Sequence, residues 1–318
     1  MLRVAVAVLL SALALGAPNA NAQATWPQRP VKIVVPLGPG SGGDITARLL
    51  SDKLAQKWGQ SVVVENRPGG DGVVALSSFI GANDDHTLLI SPTSTFTHHP
   101  WMHDKMPYDA KELVPIARIT NPLVAVVVPG SSPWSSLKEL FADVRANPGK
   151  LNMGSSGNGS VSHVFGELFK METGIELVHV PNRGGYIADL LGGQTQVVFG
   201  TIAASITLIS AGKLRALAVT TAARSAALPQ VPAIGESVPG YDGSQWYGIC
   251  APKDTPPAIV NKLNSEINAA LGDANLKARF ADLGVDPTPT TPAGFGKFMA
   301  TETEKWAKVI RTAKLKPE

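Results

Sequence analysis

Five short stretches gather residue types that suit a small anion. LGPGSGGD (37–44), SPTSTFTHHP (91–100), GSSGNGSVSH (154–163), PNRGGY (181–186) and GTIAAS (200–205) each end an apolar run and open a segment of helical character. Glycine lets the backbone come close to a ligand, while Ser, Thr and Asn add short donors. Helix N-termini supply unpaired N–H groups and a partial positive charge. A carboxylate is the natural guest of such loops, and no covalent chemistry is needed to hold it. Asp44 is expected to cap or charge the start of its helix and to shape the first loop. Arg183 is placed either to pair a carboxylate bidentately or to stand in solvent.

Other chemistry is less well served. Gly38, Gly40 and Gly43 fit G-x-G-x-x-G, and Glu65 closes the next strand-like run, so a dinucleotide-binding oxidoreductase is an alternative. There is no G-x-S-x-G or H-E-x-x-H, and Ser160 and His163 are spaced for one helical turn rather than as nucleophile and base. His98, His99 and His103 invite a metal reading, but Pro100 interrupts them and no Cys accompanies them, which favours polar loop residues beside a cleft. No cofactor or metal is expected.

The elements that must position these loops alternate. Runs such as VKIVVPL, SVVVENR, HTLLISP, VAVVVPG and TQVVFGT read as strands, and segments such as DITARLLSDKLAQKWG as helices. In that helix Ile45, Leu49, Leu50, Leu54 and Trp58 share a face, and Gly59 suits its end. The pattern is that of an α/β protein with a parallel or mixed sheet. NPLVAVVVPG near 124 and SQWYGICAPK near 246 look like crossings between two lobes. One lobe is expected at 24–124 plus 246–318 and the other at 125–245, joined by a two-strand hinge.

Length and composition set the context. With 318 residues and 44% hydrophobic content, the chain can build two ordinary domains. It begins with Arg3, an apolar run from Val4 to Leu15 and the A-x-A site Ala20-Asn21-Ala22, the pattern of a Sec leader over 1–22. An exported, periplasmic protein is expected, without a lipid anchor because no cysteine adjoins the cleavage site. Cys250 is the single cysteine and reads as a buried apolar residue. The formal charge is +3, or +2 once Arg3 leaves with the leader, and no long basic run points to nucleic acid or an anionic membrane.

WPQRPVKIVVPLGPGSGGDITARLLSDKLAQKWGQSVVVENRPGGDG resembles the N-terminal signature of the Bug family, the periplasmic substrate receptors of tripartite tricarboxylate transporters. The likeness continues through MPYDAKELVPIARI, ANPGKLNMGSSGNGSVSHVFGELFKMETGIELVHVPNRGG, DLLGGQTQVVFG and AGKLRALAVTTAARSAALPQVPAIGE. It implies a type II periplasmic-binding-protein (Venus flytrap) fold, in which two α/β lobes close on a small carboxylate. It also implies a monomeric receptor, not an enzyme, that serves membrane permease subunits; a receptor for a signalling system is the sister alternative. The ligand loops implied are Leu37, Gly38, Gly40, Ser41, Gly42 and Asp44 with Thr93, Ser94 and Thr95 on the first lobe. On the second they are Ser155, Ser156, Asn158, Ser160, His163, Asn182 and Arg183; Thr201, from the loop GTIAAS, is a further ligand candidate. The chain departs from the family where VPYKG is often found and here reads Val180-Pro181-Asn182-Arg183-Gly184. It departs again at His98-His99, often Ile-Asn, and at Gly200, where an acidic residue is common. Losing that acid removes a charge that would favour an ammonium-bearing ligand.

Overall fold

The computed structural model describes residues 26–69, 72–103, 106, 108–182, 185–225 and 228–316; the expected leader lies outside them. Along the chain run β1 (Val31–Val35), α1 (Gly42–Trp58), β2 (Val62–Asn66), α2 (Val73–Ala82) and β3 (Thr87–Pro92). A π-helical turn at Ser94–His98 leads into α3 (His99–Met102), then β4 (Leu113–Pro122), β5 (Val124–Pro129) and α4 (Leu137–Ala146). Next come β6 (Asn152–Ser155), α5 (Val161–Thr173), β7 (Val178–Pro181), α6 (Tyr186–Leu191), β8 (Val197–Thr201), α7 (Ile202–Ser210) and β9 (Leu214–Val219). The chain closes with β10 (Tyr247–Pro252), α8 (Pro257–Leu271), α9 (Ala274–Asp282), β11 (Val285–Pro287) and α10 (Pro292–Thr312).

These strands form two mixed sheets, in the orders β11-β4-β10-β3-β1-β2 and β7-β6-β8-β5-β9. In each, three parallel strands are joined by helical crossovers and an inserted strand runs antiparallel to its neighbours, β10 between β3 and β4 and β5 between β8 and β9; in the six-stranded sheet the edge strand β11 also runs antiparallel to β4. Apolar residues on both faces of both sheets are buried under helices, which explains why the inner strands read as continuous Val/Ile/Leu runs. α1 forms as its sequence dictates. Ser41 caps its start by accepting the Asp44 N–H, Ala47, Leu50 and Leu54 are buried against β1 and β3, and Gly59 ends it in the left-handed region at φ 64°.

The strand β4 and the helix α2 are not evident in the sequence. Pro115, Arg118 and Pro122 break the apolar alternation of β4, yet Pro115 sits where the register with β10 shifts, a place where a missing N–H is tolerated. α2 has no side-chain cap at Gly72.

The chain leaves the six-stranded sheet between β4 and β5, and it returns through 220–246. Thr220 N–H donates to Val124 O (2.9 Å), Gly243 N–H to Thr220 O (2.8 Å) and Thr93 N–H to Trp246 O (2.9 Å), which ties the crossings together. A third element joins the halves. Near its start α10 packs Phe295 edge-on to Trp246; near its end Trp306 stacks on Phe165 at 5.0 Å, within the core of the five-stranded sheet. Buried Glu302 lies between them and accepts both indole N–H groups, from Trp246 at 3.3 Å and Trp306 at 3.0 Å. The last helix thus divides its packing between the sheets, although the sequence assigns all of 246–318 to one side.

Candidate functional site

A cavity of about 460 Å³ lies where the loops leaving the strands of both sheets meet. That volume is within the ~300–1,000 Å³ usual for small-molecule sites. None of its lining residues, among those described, is Asp, Glu, Lys or Arg. The walls are hydroxyls, amides, glycines and prolines, with the imidazole of His99 among them and Leu37, Val124, Val161 and Phe199 as apolar patches.

The wall from the six-stranded sheet is the loop between β1 and α1. It contributes Leu37, Gly38 and Ser41, joined by Ser94 and Thr95 from the π-helical turn. Asp44 is buried and turned away from the cavity, holding the loop from behind: it accepts from Gly40 N–H (2.8 Å) and Asn66 Nδ2 (2.9 Å), and it pairs with Arg48 (2.9 Å). Burial pushes this carboxyl up, but the bonds from Arg48, Gly40 and Asn66 together outweigh burial and hold it below its ordinary value. Gly40 takes φ 79°, and Gly43 leaves room for Leu37 and the Tyr247 ring, since a Cβ there would meet them at 2.7 and 3.1 Å. One of the N–H groups that open α1 is already spoken for, Asp44 N–H by Ser41.

The opposite wall, from the five-stranded sheet, is the loop between β6 and α5. Ser156, Asn158 and Ser160 line the cavity, and the loop is fixed by imidazoles. His98 Nδ1 donates to Gly159 O (3.1 Å), and His163 Nδ1 accepts from Gly159 N–H (3.1 Å). The His163 ring stacks on His179 at 3.6 Å, and His179 Nε2 meets Ser155 Oγ at 2.6 Å. Burial, reinforced by neighbouring His99, Lys305 and His163, drives His98 down to about 3, opposed by its bond to Gly159. Burial drives His163 down to about 3 as well, with His179 and Lys170 adding to the effect. Both rings are therefore neutral spacers near pH 7.

Two tyrosines close the remaining side. Tyr247, at the start of β10, packs against Gly42 and Gly43, and burial raises its hydroxyl well above the ordinary tyrosine value. Tyr186 opens α6, and burial raises its hydroxyl in the same way, with neighbouring Thr201 opposing the shift.

The cavity thus brings together Leu37, Gly38, Ser41, Ser94, Thr95, Ser156, Asn158, Ser160 and Thr201. Gly40, Gly42, Asp44, Thr93, Ser155, His163 and Asn182 do not line it; they hold the loops that do. Thr93 is bonded through both backbone and side chain to Trp246, and Asn182 donates to Asp189. Arg183 lies outside the described residues. Sequence reasoning missed Tyr186, Tyr247 and Gln245, which carry no motif; lone aromatics after a turn or at a crossing strand were the available signal.

The catalytic alternatives lose their geometry. The imidazole of His163 faces Gly159 and His179, and Ser160 Oγ instead accepts the His163 backbone N–H at 3.3 Å. Glu65, the acid expected on a ribose, is paired with Lys32 at 2.8 Å and with Arg67. Among the described residues no three His, Cys, Asp or Glu side chains are grouped to hold a metal ion, and no helix is long and apolar enough to cross a membrane.

Residues 46–315 match the model of the tripartite tricarboxylate transporter family receptor. The chain is 36% identical over 301 residues to protein BugT of Bordetella pertussis, covering 92% of each chain. Among solved structures, R. palustris Rpa4515 with adipate superposes with a TM-score of 0.86 at 34% identity, over 92% of this chain and all of the other. MatC from Rhodopseudomonas palustris, with bound malate, gives 0.80 at 28% identity, over 90% of this chain and all of the other. The chain belongs to the tripartite tricarboxylate transporter receptor family, and it is a solute-binding receptor of the periplasmic-binding-protein fold rather than an enzyme.

Proposed function

We propose that the protein is an exported receptor that captures a small organic carboxylate between two closing lobes and delivers it to the permease subunits of a tripartite transporter. The observation that carries this reading is the cavity itself: without Asp, Glu, Lys or Arg among its described lining, of small-molecule size and walled by donor-rich loops from both sheets. A carboxylate bridging those loops touches both halves at once. It therefore binds the closed arrangement more tightly than an open one, which is what shifts such an equilibrium. The adipate and malate held by two relatives are acids of fitting size. The lobes are assigned to 24–124 plus 246–318 and to 125–245, with α10 as a strap across them. The site residues proposed are the nine that line the cavity together with the loop-holding residues behind them.

Isothermal titration of the purified protein against di- and tricarboxylates, hydroxy acids, aromatic acids and amino acids tests the reading. At least one carboxylate should bind saturably and raise the unfolding temperature. Saturable binding of NAD(H), or stabilisation by uncharged sugars alone, contradicts it. Co-purification with the permease subunits only in the presence of that acid tests the delivery step.

A further inference from the structure

Asn158-Gly159 is the one Asn-Gly pair in the sequence, and Asn158 lines the cavity. Such a pair is chemically vulnerable, because no side chain beside the glycine nitrogen hinders its attack on the asparagine Cγ. The nitrogen bonds to Cγ and gives up its proton, the Cγ–Nδ2 bond breaks, and ammonia leaves with that proton. Water then opens the five-membered imide to Asp or isoaspartate. The fold itself asks for the glycine: Gly159 takes φ 71°, in the left-handed region, and a Cβ there would press on Met102 Sδ.

Imidazoles hold both peptides that flank Gly159. Its N–H, on the attacking nitrogen, donates to His163 Nδ1 at 3.1 Å, and its carbonyl accepts from His98 Nδ1 at 3.1 Å. The rings are seated in turn, His163 stacked on His179 at 3.6 Å and His98 edge-on to Trp306 at 5.1 Å. Attack must draw the nitrogen to bonding distance of Cγ and strip its proton, which breaks the bond to His163 and displaces the backbone that His98 fixes. His163 does not assist the step. Burial drives its imidazole down to about 3, so it accepts the hydrogen bond but is a weak base for the proton.

We propose that Asn158 is a deamidation site kept silent by the His98–Gly159–His163 clamp, and that its conversion switches off ligand capture. The loss of capture rests on the carboxylate-receptor reading above. A carboxylate at 158 would enter a lining with no Lys or Arg among its described residues to offset it, and would repel an acid. Isoaspartate also lengthens the backbone by one methylene and pulls Gly159 off both rings. His98 follows β3 of the six-stranded sheet and Gly159 follows β6 of the other, so parting the halves breaks one side of the clamp. A ligand that keeps the halves together therefore slows conversion.

The test is peptide mass spectrometry of Asn158 during incubation in mildly alkaline buffer, on the unaltered protein, its urea-unfolded chain, and the variants His98→Ala, His163→Ala and His163→Asn. The folded protein should convert at least about tenfold more slowly than the unfolded chain, and each alanine variant about tenfold faster than the folded protein, the worth of one buried hydrogen bond. His163→Asn keeps an acceptor and should stay within about threefold of the unaltered rate. Should the alanine variants fail to fold, hydrogen exchange of the unaltered protein decides: Gly159 N–H should exchange at least about tenfold more slowly than in the unfolded chain. Calorimetry of Asn158→Asp with the tightest acid of the panel should show affinity weakened by about tenfold or more. Folded protein that converts as fast as the unfolded chain, alanine variants that convert no faster than the unaltered protein, an unprotected Gly159 N–H, or an undiminished affinity of Asn158→Asp would overturn the proposal. If no acid binds even the unaltered protein, it is the receptor reading that fails, while the conversion rates still judge the clamp.

Discussion

The loop at 37–44 is held in shape by one buried carboxylate, Asp44, whereas the loop at 155–163 across the cavity is held by neutral imidazoles. Both devices fix glycine-rich backbone so that short hydroxyls face a ligand. They respond to acid in different ranges. Asp44 is stabilised as an anion, so its contribution is complete above the ordinary aspartate value and is lost as pH falls through its lowered native one. His98 and His163 are stabilised as neutral rings with native values of about 3, so the unfolded chain takes up their protons first, below about 6.5. Acid therefore loosens the imidazole wall while the carboxylate wall still stands.

The largest effect should come from that difference. Between pH 6.5 and 4.5 the free energy of unfolding should fall by about 1.4 kcal/mol per pH unit for each of the two histidines, measured by urea unfolding at stepped pH. Ligand affinity should fall over the same range. A flat profile would mean that the two walls are held alike.

Next in size is Asp44→Ala. It strips the loop of its Gly40, Asn66 and Arg48 bonds and should cost about 2–3 kcal/mol at pH 7, with a marked loss of carboxylate affinity. A change under about 0.5 kcal/mol would show that the loop keeps its shape without the anchor. The smallest effects belong to the two serines that both cap a helix and line the cavity, one per wall. Ser41→Ala and Ser160→Ala should each cost about 1 kcal/mol of stability, and equal losses of affinity would show that the two walls share the ligand evenly.

The wall at 37–44 was legible in the sequence because its logic is local: glycines, a serine and an acid sit side by side, although the cap is Ser41 and Asp44 stands in the first turn. The other wall was half legible. GSSGNGSVSH announced a loop opening a helix, but His98 and His179 reach it from other elements, so no spacing betrayed them. Tyr186 was hidden for a different reason. It follows a turn at Gly185 with φ 138° and packs over Gly200, fourteen residues away in the chain and adjacent only in space. β4 was obscured by its prolines, and α10 looked like part of a single lobe because helical periodicity does not say how many cores a long helix serves.

The central claim is that a compact acid is held by both walls at once. A crystal structure of the protein with the tightest-binding acid of the titration panel tests it most directly. The predicted density places a carboxylate against residues 37–41 or 94–95, with the rest of the molecule reaching 156–160 or 199–201. An acid bound outside this cavity, or one touching a single wall with the other withdrawn, would contradict it.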